Sequence, residues 1–212
     1  MRRVVISGMG AVSALGDGLP GLVEGLLAGR SAVRRMPDWT GCAGLRSLVG
    51  APLELKNEKA IPRQSRRSMG RLSLFAVQAA EQALDDAAFD RTLLGGGGVG
   101  CVIGSTMGSA QALSEAFEVM IRERDLALLH SMQFFKCLSH TAAMNVSQYL
   151  GISGYVTATC AACVSALQAV GLGLDLIRSG RQDAVLCGGS EELHPTVTAS
   201  FDILRATSTG FN

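Results

Sequence analysis

The stretch Thr157-Ala-Thr-Cys160-Ala-Ala-Cys163-Val-Ser-Ala-Leu-Gln-Ala-Val-Gly171 decides how this chain is read. An extended, β-rich run from Gly154 to Thr159 turns through small residues and opens directly into an apolar segment. Val164, Leu167, Val170, Leu174 and Ile177 recur every three or four residues, the helical period. Leu172 and Leu176 fall on the other side, so the expected helix is apolar nearly all round and buried. Ala162, Ala166, Ala169, Gly171 and Gly173 keep it thin, which suits close packing against another helix. Cys163 then falls at or near the positive end of that helix. Unpaired N–H groups and the helix dipole favour a thiolate there, and the thiolate is the form that attacks.

Three readings of the two cysteines compete. Both are packed small hydrophobes, since free cysteine is often buried and inert. They form a Cys-x-x-Cys redox pair, which also occurs at helix starts. Or Cys163 is a lone nucleophile with Cys160 as its neighbour. Zinc is disfavoured, because no second Cys-x-x-Cys or His pair supplies four ligands.

Working outward, composition narrows the class. The chain of 212 residues is long enough for a substantial core, and 48% of its residues are hydrophobic against 17% charged. That is the composition of a globular α/β protein rather than a disordered one. A net charge of +1 argues against nucleic acid as the principal partner. Six cysteines without a small disulfide-rich layout read as reduced thiols in a cytosol. No apolar run reaches the length of a bilayer span, and Met1-Arg-Arg leads straight into a predicted strand without a signal-peptide core. A cytoplasmic protein with no membrane partner is expected.

Toward the N-terminus, Arg3 to Ser7 reads as a short buried strand followed by Gly8-Met-Gly10. A dinucleotide fingerprint would want glycine where Ser13 stands, so the glycines are expected to make a tight turn. Leu19 to Ala28 reads as a helix with Pro20 in its first turn and Gly29 at its end. Residues from Arg30 to Ile61, which include Trp39 and Cys42, show no sustained period and are expected to be a surface excursion. A helix runs through Leu72, Ala76, Ala79, Ala83 and Ala87, preceded by the arginines Arg63, Arg66, Arg67 and Arg71. Arginines at such spacing form a solvated face, or hold an acidic partner.

Beyond four glycines at Gly95 to Gly98, Val99 to Gly104 reads as a strand and a helix starts near Ala110. Helical spacing from Thr141 to Leu150 leads to the cysteine stretch. After it, Ser179-Gly180 stops the helix and Asp183 to Gly189 reads as a fully buried strand. Glu191 and Glu192 are more simply turn residues with backbone partners than an acid–base pair. The strand–helix–strand rhythm, with apolar strands, argues a mainly parallel sheet covered by helices.

Several blocks, in order, carry a resemblance. They are Arg3-Val-Val-Ile-Ser-Gly-Met-Gly-Ala-Val-Ser-Ala-Leu-Gly16, Gly154 to Gly171, Ile177-Arg-Ser-Gly-Arg-Gln-Asp183, Cys187-Gly-Gly-Ser-Glu-Glu-Leu193, Phe201-Asp202 and Arg205-Ala-Thr-Ser-Thr-Gly-Phe-Asn212. The chain resembles the β-ketoacyl-acyl-carrier-protein synthases, in particular the elongating condensing enzymes I and II of type II fatty-acid synthesis. It resembles their N-terminal half only. The resemblance implies an α/β thiolase-like fold: a mixed, mainly parallel five-stranded sheet, helices on both faces, and a buried central helix after Cys163. Residues 1–212 would form one N-terminal domain, with the C-terminal half absent.

The same resemblance implies decarboxylative condensation of an acyl thioester with a malonyl carrier protein, Cys163 forming the acyl-enzyme. It implies that Met107, Phe135 and Phe201 line the acyl site, and that Arg63, Arg66 and Arg67 dock the acidic acyl carrier protein. No cofactor is implied, since substrates ride on the phosphopantetheine of that carrier. A homodimer, or a heterodimer with another ketosynthase subunit, is the expected assembly. The family's second oxyanion donor and its two decarboxylation histidines belong to the C-terminal half, and none of His130, His140 or His194 stands in a matching motif. Residues 1–212 are therefore expected to form an acyl-enzyme without condensing alone. A non-catalytic subunit like the chain-length factors and a thiol oxidoreductase using Cys160 and Cys163 are the alternatives.

Overall fold

The computed structural model describes residues 2–212, which alternate short strands with helices. Helix α1 (Gly18–Leu27) precedes a two-residue strand β1 (Arg34–Arg35), which pairs antiparallel with β2 (Val49–Gly50). The short helix α2 (Arg63–Arg66) leads into α3 (Arg71–Asp86). Strand β3 (Val99–Gly104) and helices α4 (Ala110–Glu118), α5 (Ser131–Cys137) and α6 (Thr141–Leu150) follow. Strand β4 (Val156–Thr157), helix α7 (Ser165–Arg178), strand β5 (Ala184–Gly189) and helix α8 (Pro195–Ile203) complete the order.

All six residues of β3 are buried, because it lies between β4 and β5 in a three-stranded parallel sheet. Alternation along the strand sends Val99, Cys101 and Ile103 to one face, where Leu72 and Val77 of α3 and Ala142 and Val146 of α6 pack. Val102 points the other way, against Ala169 and Leu176 of α7. Parallel strands joined by helices are covered on both faces, which is why β3 is apolar throughout. Full burial of a side chain such as Leu72 or Leu176 contributes about 1.5–3 kcal/mol. The α/β class and the helices on both faces are as the sequence led us to expect.

Four details differ. The sheet has three strands rather than five: residues 3–7 form no ladder, and Ile6 is 78% exposed. That segment is tied down instead by the Arg2–Asp183 ion pair, Met9 N–H to Asp86 and Ala11 N–H to Gln82. Gly8 and Gly10 keep ordinary negative φ and make no tight turn. A Cβ at Gly10 would overlap the Ala79 carbonyl, so the glycines let this segment lie flat on α3.

Helix α7 is not buried all round. Ala169, Gly173 and Leu176 sit on the sheet, while Val164, Leu167 and Val170 face outward, Leu167 at 69% exposure. Its outer stripe has no second layer to cover it within these residues, and β5 is for the same reason half-buried rather than fully buried. Finally, the 30–61 excursion is not all surface: Trp39 and Ile61 are buried. No helix among the described residues is long and apolar enough to cross a membrane.

Candidate active site

Small residues at the end of β4 let the chain turn sharply into α7. Ser105 N–H donates to the Thr159 carbonyl at 3.1 Å, holding the end of β3 beside the turn. The Thr159 hydroxyl donates to the Ser165 carbonyl at 2.8 Å. Between them Ala162 adopts φ +50°, a left-handed conformation that costs a non-glycine residue about 1–3 kcal/mol. Its carbonyl accepts the Ser165 hydroxyl at 2.7 Å, the Ser165 N–H at 3.1 Å and the Thr106 hydroxyl at 3.1 Å. The Ser165 oxygen in turn accepts the Ala161 N–H at 2.9 Å.

Cys163 stands on this strained corner, immediately before Val164, the N-cap of α7. It is exposed, as a nucleophile presented on a strand-to-helix elbow must be. A close seat makes the corner possible. A Cβ at Gly104 would overlap the Ser165 carbonyl, and one at Gly189 would lie 2.6 Å from the Ala166 Cβ. Cys160 is also exposed and free, and its thiol faces the Thr106 carbonyl at 3.7 Å. The packed-hydrophobe reading of the pair therefore fails: neither cysteine is buried.

The other thiols differ. Burial pushes Cys101 up to about 12 and also raises Cys187 and Cys137. Glu191 accepts from the Ser105 hydroxyl and the Thr106 N–H, next to the elbow. Buried Glu192 accepts the Leu72 N–H at 3.1 Å and the Gln111 N–H at 2.7 Å, joining the first turns of α3 and α4, and receives the Ser109 hydroxyl as well. Both glutamates thus serve backbone groups, as expected. No group of His, Cys, Asp and Glu side chains that would hold a metal ion exists among the described residues.

Met107 follows Thr106 directly and is half-buried in the wall of a cavity of about 580 Å³, shared with Leu113, Phe117, Ile121 and Thr196. Phe135 and Phe201 do not line it. Phe135 lies on α5 against the edge of the Phe134 ring, centroids 5.7 Å apart, and Phe201 lies exposed on α8. Arg63 and Arg67 are exposed and make no ion pair among the described residues. Arg66 is spent internally, donating to the Ile61 carbonyl and to Glu58, both at 2.9 Å. Sequence reasoning missed Thr106, Ser165 and the strain at Ala162. The only signal was the density of small hydroxyl and alanine residues around Cys163.

Cys163 is thus an exposed cysteine on a strained strand-to-helix corner, over a parallel sheet with helices on both faces. The chain belongs to the β-ketoacyl synthase family: the model of its N-terminal domain matches residues 1–211. It is 28% identical over its whole length to 3-oxoacyl-[acyl-carrier-protein] synthase 1 of Haemophilus influenzae, of which it covers 52%. The crystal structure of a β-ketoacyl synthase from Burkholderia phymatum superposes with a TM-score of 0.91 at 40% identity, covering 99% of this chain and 52% of that one. A type II polyketide-synthase acyl-carrier protein in complex with its ketosynthase, bound to the hexaketide, matches with a TM-score of 0.83 at 27% identity, covering 98% and 50%. The chain spans about half the length of the curated relatives it matches.

Proposed function

We propose that the protein takes part in β-ketoacyl-acyl-carrier-protein synthase chemistry in fatty-acid or polyketide synthesis, with Cys163 as the acyl acceptor. The observation that carries this is the exposed Cys163 on the left-handed Ala162 corner, within a chain of this family. The Cys163 sulfur attacks the carbonyl of a carrier-bound acyl thioester and expels the phosphopantetheine thiol, leaving an acyl-enzyme. A malonyl carrier protein then loses carbon dioxide, and the resulting enolate attacks the acyl-enzyme, forming the new carbon–carbon bond and freeing the Cys163 thiol.

Met107 belongs to the acyl site in this proposal, since it borders the elbow and an apolar cavity. Phe135 and Phe201 join it only at surfaces that a partner or further chain completes. Arg63 and Arg67, exposed and unpaired, dock the acidic carrier protein, while Arg66 supports their helix from within. The outward stripe Val164, Leu167 and Val170 is covered by the half of the family fold that these residues do not include, so condensation needs that half. Free cysteines throughout suit a cytoplasmic setting.

The test is mass spectrometry after exposure to an acyl-carrier thioester. An acyl mass on the peptide containing Cys163, lost in Cys163→Ser, supports the proposal. A Cys160–Cys163 disulfide that turns over, with no acyl adduct, would move the protein to thiol redox chemistry.

A further inference from the structure

The Ala162 carbonyl is held by three donors, two from Ser165 and one from Thr106. A trans peptide is planar, with its carbonyl and N–H pointing in opposite directions, and no cis peptide occurs among the described residues. Fixing the Ala162 carbonyl inward therefore fixes the Cys163 N–H outward, on the side where Cys163 is exposed. That N–H is the group able to receive the negative oxygen that forms when the sulfur attacks a thioester. Electrostatic help of this kind depends on the donor being aimed before charge develops.

Ser165 is local to the corner and needed for the turn itself. Thr106 is not: it comes from the end of β3, 56 residues earlier in the chain. Its hydroxyl donates to the Ala162 carbonyl, its own carbonyl accepts the Cys160 thiol, and its N–H is anchored on Glu191. Thr106 thereby spans the corner on both sides of Ala161 and is itself held by a carboxylate. We infer that Thr106, anchored by Glu191, is a positioning residue that aims the Cys163 N–H at the oxyanion of acyl transfer. This rests on the proposed acyl-acceptor role of Cys163.

The step it serves balances simply. The Cys163 sulfur forms a bond to the thioester carbon, and the carbonyl π pair moves onto oxygen, facing the Cys163 N–H. The pair then returns as the carbon–sulfur bond to the leaving thiolate breaks. The proton released from Cys163 ends on the departing thiol.

Two reagents separate aiming from simple exposure of the sulfur. Acylation by the octanoyl thioester of N-acetylcysteamine passes through an oxyanion; alkylation by iodoacetamide displaces iodide and forms none. In the full-length protein, Thr106→Val should slow acylation of Cys163 by roughly tenfold to a hundredfold, less than the hundredfold to thousandfold lost when an oxyanion donor is removed outright. Alkylation should stay within about twofold, because neither the exposure nor the identity of the sulfur changes. Thr106→Ser, which keeps the hydroxyl, should restore acylation. Equal losses with both reagents, or no loss with either, would overturn the inference. If the unaltered protein accepts no acyl group, the acyl-acceptor role falls and takes this inference with it; if it does accept one, the crystal structure of Thr106→Val tests the aiming separately. Release of Ala162 from its left-handed conformation, with rotation of the Cys163 N–H, supports it. An unmoved Ala162–Cys163 peptide refutes it.

Discussion

The Ser165 hydroxyl donates to the Ala162 carbonyl at 2.7 Å while accepting the Ala161 N–H at 2.9 Å, so one buried side chain closes the corner on which Cys163 stands. The strain at Ala162 persists because its neighbours over-determine it. Ser165 supplies two of the bonds that do so, and its own carbonyl is held by Thr159.

Ser165→Ala should therefore destabilise the protein by about 1–3 kcal/mol, the cost of leaving buried polar partners unmet. Acyl transfer to Cys163 should fall more steeply than stability, because the corner relaxes before the fold is lost. Thermal unfolding and single-turnover acylation measure the two effects side by side.

The six cysteines should divide sharply toward a maleimide at neutral pH. Cys42, Cys160 and Cys163 are exposed and should be labelled in the native protein. Cys101, fully buried and with its thiol pushed up to about 12, should be labelled only on unfolding. Peptide mapping of a timed reaction checks this, and early labelling of Cys101 would contradict the fold around β3.

Glu192 joins two helix starts that are far apart in sequence. Glu192→Ala leaves the Leu72 and Gln111 N–H groups and the Ser109 hydroxyl without their acceptor, and should cost about 3 kcal/mol or more. Glu192→Gln keeps one acceptor oxygen and should cost less. Denaturant unfolding of the two variants tests the order.

Stability should fall in acid in two stages. Burial lowers the His194 pKa, so in the window below about 6.5 the unfolded chain binds a proton that the folded one refuses. Stability therefore declines as pH drops through that window, and His194→Asn should flatten it. Asp202 is depressed by the Thr207 hydroxyl, then by the Arg46 N–H and guanidinium. Its contribution is full above the ordinary carboxylate pKa and is lost as pH falls through the lower folded value. Melting temperature against pH from 3 to 8, for the unaltered protein, His194→Asn and Asp202→Asn, separates the stages; a flat profile of the unaltered protein across both windows would contradict them.

Much of this arrangement is legible in local pattern. The apolar run Val99 to Gly104 announces a strand covered on both faces, and Leu72 to Leu84 and Ser165 to Leu176 carry the helical period. The position of Cys163 at a strand-to-helix change is equally local. What the pattern misjudged was coverage. Val164, Leu167 and Val170 are apolar, and apolarity states which surface favours burial without stating whether these residues supply the cover. Val5 and Ile6 are exposed for the same reason.

By itself, then, the sequence determined the family, the buried strand β3 with the main helices around it, and the cysteine that stands at the strand-to-helix change, since each depends on residue types at short spacing. Only the tertiary structure decided that Thr106 reaches across to Ala162, that Glu192 binds two helix starts, and that Arg66 is occupied internally. Those are contacts between distant segments, and a pattern of neighbours along the chain holds no distance between them.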